Sequence, residues 1–362
     1  MATRILILTA SVGEGHDLPA RLLAEELREL PETEVVVADG LQAMGRLFVL
    51  VNQRAATVVF FHFLWLWDAT YWLCIHFAPT RRLTQRFVWA FGSRGVERLI
   101  REVRPDVIAS VYPMTTEVLG RLRRTRRLDI PVCAAITDLA MMHYWAAPGI
   151  DLHLITHPET EQEVREIAGD QTAVCAVRGL TKPEFGEPRE ASEARRSLGL
   201  ARDGKIVLVS GGGWGVGDLA TAVETALGLD GVGEVVCLCG RNEDLRSRLE
   251  RRFGDEPRVR VEGFTDKMGD WLAAGDALVH STGGLTVLEA HMRGCPTVSY
   301  GWGRGHIRAN NHAFARHGIA EVAASQLELK GALARALASR GAPDLSFAAL
   351  PSAASLVLTL IA

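Results

Sequence analysis

The chain has no Asp-x-Asp pair, so a diphosphate ligand would lack the paired carboxylates that hold it through a metal. No Gly-Lys-Ser/Thr follows either glycine-rich turn, which excludes a Walker A phosphate loop. The six cysteines form no C-x-x-C and no metal-ligand spacing. Cys237 and Cys239 point to one face of an apolar strand and read as reduced core thiols, which suits a cytoplasmic protein. His153 and His157 lie four apart, but on an expected strand and its exit rather than on a zincin helix. No cleavable signal peptide is visible, because the amino-terminal apolar run is only a strand long. The final apolar run, Leu356 to Ile361, is too short to span a bilayer.

What is present is the alternation of a folded α/β chain. At 362 residues the length exceeds a usual single core, so two domains are expected. Apolar residues make up 48% and charged residues 23%, with a formal net charge of −3, which excludes a disordered chain and gives no sign of a nucleic-acid partner. Strand-like runs appear at Ile5–Leu8, Val35–Ala38, Val107–Val111, Val132–Ile136, Leu152–Ile155 and Ala173–Val177. A second set occupies Ile206–Val209, Val235–Leu238, Val259–Val261, Ala277–His280 and Thr297–Tyr300. Helical stretches separate them, so two successive parallel sheets are expected, joined near Gly179–Pro183, with a cleft between them.

One segment interrupts the rhythm. Val58 to Ala78 is rich in Phe and Trp, and Asp68, His62 and His76 argue against a simple span. It is followed by an uneven run of charge. Between Pro79 and Arg127 there are twelve arginines, no lysine and only Glu97, Glu102, Asp106 and Glu117 as acids. The arginines read either as an anionic partner surface or as solvated helix faces. The aromatic stretch beside Arg81, Arg82 and Arg86 is expected to attach at an anionic membrane interface, against the alternative of internal packing.

Four turns carry the chemistry. Ser11 to His16 follows the first strand, and a helix with Leu22, Leu23 and Leu27 on one face follows it. That places the His16 imidazole at the carboxyl end of a strand, where it can take a proton near neutral pH. His280 to Ala290 is a strand end, a glycine turn and a helix start. Thr282, Gly283, Gly284, Leu285 and Thr286 would present backbone amides to a diphosphate, and Glu289, a turn further on, would accept ribose hydroxyls. Ser210 to Gly217, with Gly212 and Gly213, is a second amide cradle. Cys239 to Asn242, with Arg241, and Gly263-Phe264 end neighbouring strands, either as base-reading edges or as plain turns. In the first half Asp138 and His143 follow a strand, either lining an acceptor site or serving as a cap and a packed ring.

In this order the motifs resemble the inverting glycosyltransferases that include monogalactosyldiacylglycerol synthase, the processive diacylglycerol glucosyltransferases and the peptidoglycan lipid-linked N-acetylglucosaminyltransferase. The similarity rests on Gly13-Glu14-Gly15-His16, Thr137-Asp138 with His143 and Trp145, Gly179-Leu180 with Phe185, and Ala194-Arg195 with Leu198-Gly199-Leu200. It continues through Gly211 to Gly213, Cys239 to Asn242, Gly263-Phe264 with Met268, and Gly283 to Glu289. The resemblance implies two facing Rossmann-like domains of GT-B type. Residues 1–179 would bind the acceptor at Gly15, His16, Asp138 and His143, with a membrane-associating insertion near 45–92. Residues 180–335 would bind a UDP-sugar, and 336–362 would return a helix to the first domain. His306 and Asn310 stand where relatives contact the donor sugar, but His306-Ile307 replaces their Gln-Gln or Gln-Glu. Trp214 is larger than the usual residue of its glycine loop.

The expectation is transfer of a sugar from a UDP-sugar to a lipid hydroxyl on diacylglycerol or a polyprenyl carrier, with His16 as base, no metal and no further cofactor. The enzyme would sit on the inner face of the membrane as a peripheral protein. A UDP-sugar epimerase of the same architecture, transfer to a small-molecule acceptor, and a non-catalytic lipid-binding protein are the alternatives. Asp39, at the end of the second strand, also mimics a nicotinamide-dehydrogenase fingerprint, although Leu18 replaces its third glycine.

Overall fold

The computed structural model describes residues 2–11, 14–51, 64–75, 77–140, 142–281, 283–301 and 306–361. The chain divides into two compact units, Met1–Lys182 with Ala349–Ala362, and Pro183–Ala348.

The first unit is built on six parallel strands: β1 (Thr3–Thr9), β2 (Thr33–Asp39), β3 (Val107–Ser110), β4 (Val132–Ile136), β5 (Leu152–Ile155) and β6 (Ala173–Ala176). Their order is β2-β1-β3-β4-β5-β6. The helices are α1 (Glu14–Glu29), α2 (Gly40–Met44), α3 (Arg46–Val49), α4 (Leu64–Ile75), α5 (Ala78–Val103), α6 (Pro113–Arg124) and α7 (Glu161–Ala168). Alternation along β1 feeds two cores. Ile5 and Ile7 pack with Leu23, Leu27 and Val357, while Leu6 and Leu8 pack with Leu41, Phe48, Val88 and Leu119. Both faces are covered, which is why these strands read as continuous apolar runs.

The second unit repeats the plan with β7 (Lys205–Ser210), β8 (Val232–Leu238), β9 (Val259–Glu262), β10 (Ala277–His280), β11 (Thr297–Tyr300) and β12 (Glu321–Ala323). The order is β12-β11-β10-β7-β8-β9, again all parallel. Its helices are α8 (Ala191–Leu198), α9 (Leu219–Leu227), α10 (Glu243–Phe253), α11 (Met268–Ala274), α12 (Gly284–Met292), α13 (His306–His317) and α14 (Gln326–Ala338). Of the twelve strands among the described residues, the sequence expectation contained eleven and missed β12, a three-residue edge strand with no apolar run to announce it. It also ended the second domain at residue 335. Ala336 and Leu337 are buried in the second unit's core, and that unit runs on to Ala348.

The chain then returns to the first unit as α15 (Ala353–Leu358). Arg178 N–H donates to Pro351 O at 3.1 Å and Ala353 N–H to Arg178 O at 3.0 Å. Ser352 Oγ donates to Glu26 Oε1 at 2.6 Å, fastening α15 to α1.

The stretch expected to be an insertion is partly structural. Met44, Phe48 and Val88 lie in the first unit's core, and Gly92 and Val96 are buried with them. The outer side of the same helices is apolar and exposed: Trp72, Leu73, Phe77, Leu83, Phe87 and Phe91, with Leu47, Leu50 and Val51 nearby. Phe60, Phe61, Phe63 and His76, and the side chains of Trp65 and Trp67, lie outside the described residues. Among the described residues no helix is long and apolar enough to cross a membrane.

Candidate functional site

In the first sheet the chain turns in opposite directions from β1 and from β3, so the order reverses between these neighbours. The carboxyl ends of strands at such a reversal are where open α/β sheets bind ligands. The loops there bring His16 and Val111-Tyr112 together. His16 Nδ1 lies 3.1 Å from Val111 O. A carbonyl only accepts, so Nδ1 carries a proton, and in the neutral tautomer that makes Nε2 the basic nitrogen. The Tyr112 ring stands edge-on to the imidazole at 5.2 Å, and Trp145 is tilted against it at 5.4 Å. Neither Val111 nor Tyr112 carried a sequence signal for the site; only the pairing of β1 with β3 brings them there.

The expected Thr137-Asp138 motif meets the same strand ends. Thr137 Oγ1 donates to Gly15 O at 3.3 Å, joining the end of β4 to the first turn of α1. Asp138 Oδ2 accepts from Trp145 Nε1 at 3.1 Å. One Asp138 oxygen thus orients the ring beside His16, a role that neither the acceptor nor the capping alternative contained. His143 is half-buried on the same loop. Beneath the loop, Ala147 N–H donates to His153 Nε2 at 3.3 Å. His153 is fully buried, and burial lowers its pKa to about 4, so it stays neutral as an acceptor.

Asp39 has a structural role at the end of β2. Its two oxygens accept from Gln42 N–H at 2.9 Å and Ser11 N–H at 3.3 Å, which caps α2 and holds the strand-end turn. Arg81 is also not a surface arginine. Its Nη1 donates to Ile75 O at 2.7 Å, leaving Arg82 and Arg86 exposed.

In the second sheet the order reverses between β7 and β10. The loop after β10 continues through buried Ser281 to Gly283, whose φ of +43° suits glycine. Helix α12 begins directly after Gly283, its N-cap residue, which has no side chain of its own to cap the helix. Gly284 and Leu285 are buried, Thr286 is half-buried, and Glu289 is 5% exposed. A β-carbon at Gly217 would run into Ser281, so glycine lets the β7 and β10 loops touch.

The β7 loop closes on itself more than an open cradle would. Gly212 N–H donates to Ser210 Oγ at 3.2 Å, Gly215 N–H to Gly212 O at 3.1 Å and Val216 N–H to Gly211 O at 2.8 Å. Those three amides are therefore satisfied inside the loop, and its use for a ligand falls to the remaining groups around Gly212 and Gly213. Next to it, Arg241 N–H donates to Gly213 O at 2.9 Å. The Arg241 guanidinium stacks 3.8 Å over Phe264, which is 52% exposed. The ends of β7, β8 and β9 thus form one rim, with Gly263 beside Arg246.

Asn310 is buried on α13, and its neighbour Asn311 ties that helix to β11 through Ser299 Oγ and Gly301 O. Thr282 and the His306 side chain lie outside the described residues. Among the described residues no group of three His, Cys, Asp or Glu could hold a metal ion.

The chain matches the model of the monogalactosyldiacylglycerol (MGDG) synthase family over residues 16–180. It is 32% identical to monogalactosyldiacylglycerol synthase 1 of Arabidopsis thaliana over 279 residues, covering 72% of this chain and 51% of that protein. It is 24% identical to the processive diacylglycerol beta-glucosyltransferase of Staphylococcus epidermidis over 324 residues, covering 88% of this chain and 81% of that one. The chain therefore spans about half the length of the plant synthase and four-fifths of the staphylococcal enzyme. In fold it superposes on the crystal structure of Acinetobacter baumannii MurG with a TM-score of 0.60 at 17% identity, covering 99% of each chain. Sequence and fold together make this chain a homologue of the MGDG synthases and diacylglycerol glucosyltransferases, built on the GT-B glycosyltransferase architecture.

Proposed function

We propose that the protein transfers a sugar from a UDP-sugar to the hydroxyl of a lipid, diacylglycerol before a polyprenyl-linked acceptor, with inversion at the anomeric carbon. The observation that carries this reading is the His16 Nδ1 contact with Val111 O, in a chain homologous to diacylglycerol glycosyltransferases. With Nδ1 donating, Nε2 is the basic nitrogen. It takes the acceptor hydroxyl's proton as that oxygen attacks the anomeric carbon. The bond to the UDP oxygen breaks on the opposite face, so one displacement inverts the centre.

On the donor side, the amides of Thr282, Gly283, Gly284, Leu285 and Thr286 would face the leaving diphosphate. The positive end of α12 would stabilise its charge without a metal or other cofactor. Glu289 would accept the ribose hydroxyls. Arg241, Phe264 and Gly263 form the rim for the base, Gly212 and Gly213 approach the phosphates, and His306 and Asn310 are assigned to the sugar. Gly15, Asp138 and His143 belong to the acceptor side, Asp138 acting through Trp145.

Attachment to the inner membrane face would use the outer side of α4 and α5. Leu83, Phe87 and Phe91 recur every four residues, so they share one helix face. Arg82, Arg86, Arg94 and Arg98 are exposed on the same helix. Apolar side chains beside arginines suit an anionic lipid interface.

Incubation of the pure protein with a panel of UDP-sugars, with and without diacylglycerol vesicles, tests the reading. The expected result is UDP release and a glycolipid product only with vesicles. Interconversion of the sugar nucleotide without acceptor would instead establish an epimerase. Transfer to water-soluble alcohols alone would establish a small-molecule glycosyltransferase.

A further inference from the structure

Tyr144 joins two regions that otherwise share no element. Its φ is +74°, a region that a bulky L-residue holds only when its surroundings keep it there. Those surroundings are specific. The residue is 4% exposed, and its hydroxyl reaches Arg81 O at 3.3 Å and Cys74 O at 3.5 Å. The Thr84 side chain also reaches that hydroxyl. Cys74 lies in the last turn of α4, while Arg81 and Thr84 lie in the first turns of α5. The tyrosine therefore grips the corner between the two helices, and it grips backbone carbonyls, which move only when the helices move.

The next residue is Trp145. It donates to Asp138 and packs on the His16 ring. One peptide bond thus separates the side chain that holds the α4–α5 corner from the side chain that touches the imidazole. Tyr71 of α4 faces the same loop. Burial first, and the Asp138 charge second, push its hydroxyl above the ordinary range. The other side of the same helix pair carries exposed Trp72, Phe77, Leu83 and Phe87. The surface proposed above to meet lipid and the ring that packs on His16 are therefore opposite ends of one short mechanical path.

We infer that Tyr144 is a positioning residue that couples contact between the α4–α5 outer face and a lipid surface to the packing of Trp145 against His16. The inference rests on the membrane docking proposed above and goes beyond it, because docking alone needs no effect on the base. Tyr144 acts through Trp145. Removing its hydroxyl should leave docking and nucleotide binding intact while disconnecting them from His16.

The test reads His16 directly and does not depend on turnover. Wild-type protein and Tyr144→Phe are treated with diethyl pyrocarbonate, without vesicles and with phosphatidylglycerol/phosphatidylcholine vesicles at low salt. Mass spectrometry follows carbethoxylation of the His16 peptide, and flotation of the same samples measures binding. In wild type, vesicles should slow His16 modification by roughly fivefold, the lower end of ordinary coupling between sites. Tyr144→Phe should float equally well, and its His16 rate should not respond to vesicles. Trp145→Phe, which keeps Tyr144 and loses the N–H to Asp138, should be uncoupled in the same way. Equal protection of His16 in wild type and Tyr144→Phe would overturn the inference, since vesicles would then be shielding the ring without the tyrosine. Wild type that floats with an unchanged His16 rate would overturn it too. Wild type that fails to float would instead remove the membrane reading on which it stands.

Discussion

The two sheets are alike in plan and unlike at their reversal points. Each has six parallel strands, and each reverses between two inner neighbours. At β1/β3 the first presents an imidazole held by a carbonyl and packed against two aromatic rings. At β7/β10 the second presents glycine turns, a helix start with glycine at its N-cap and a buried carboxylate. The architecture supplies a place where loops diverge; the residue types decide whether that place moves a proton or holds an anion. The units also differ at their surfaces. The first exposes a band of apolar side chains on α3, α4 and α5. In the second, Trp214 and Phe264, two of the exposed large apolar residues, belong to the loops of the candidate site.

The sharpest way to break this contrast is to remove the imidazole. His16→Ala should lower kcat by about 10²–10⁴-fold, the usual contribution of a general base. UDP affinity should stay near wild type, because the change lies in the other unit. Turnover within a few-fold of wild type would end the proton-transfer role of the first site.

A second effect concerns stability and belongs to the first unit. Buried His153 titrates near 4, below its ordinary 6.5, so the folded state binds fewer protons than the unfolded chain between these values. Its contribution is present above the unfolded pKa and is lost as pH falls from 6.5 through 4. About 3 kcal/mol disappears across that window. Urea titrations from pH 7 to pH 4 check the slope. A His153→Gln variant should be less stable at pH 7 and should lack this part of the pH dependence.

On the donor side, Glu289→Ala should weaken UDP binding by roughly 1–3 kcal/mol, the cost of leaving buried hydrogen-bonding groups unmatched. Calorimetry with unchanged UDP affinity would move the nucleotide away from α12.

The smallest effects should come from the surface. Replacing Leu83, Phe87 and Phe91 with serine should reduce vesicle flotation at every ionic strength. Replacing Arg82 and Arg86 should cost on the order of 1 kcal/mol each, and only at low salt. Both sets should leave UDP affinity intact. Flotation that responds to neither would make the exposed band of α5 irrelevant to lipid.

Eleven of the twelve strands were legible because a strand buried on both faces is an apolar run that needs no tertiary context. The turns before α1 and α12 were legible for a similar reason: a strand end, glycines and a helix start are consecutive in the chain. Other features were illegible for equally physical reasons. β12 is too short to show a pattern, and Arg81 looks like its exposed neighbours until its guanidinium is seen to turn back to Ile75 O. Asp39 fits a nucleotide fingerprint by position, yet its oxygens hold Gln42 and Ser11. The β7 loop has the glycines of an open cradle, but three of its amides bond within it.

Local sequence was therefore enough to determine the α/β class, the division into two units, and the candidacy of His16 and Glu289, because each depends on residues within one strand–turn–helix. Only tertiary structure decided which strands lie side by side. That order sets His16 against Val111, 95 residues away, and seats Trp145 on the imidazole. It also stacks Arg241 on Phe264 and lets the β7 loop touch Ser281. Such contacts arise from how a sheet orders its strands, and a strand's apolar run carries no information about its neighbours beyond the need to be covered on both faces.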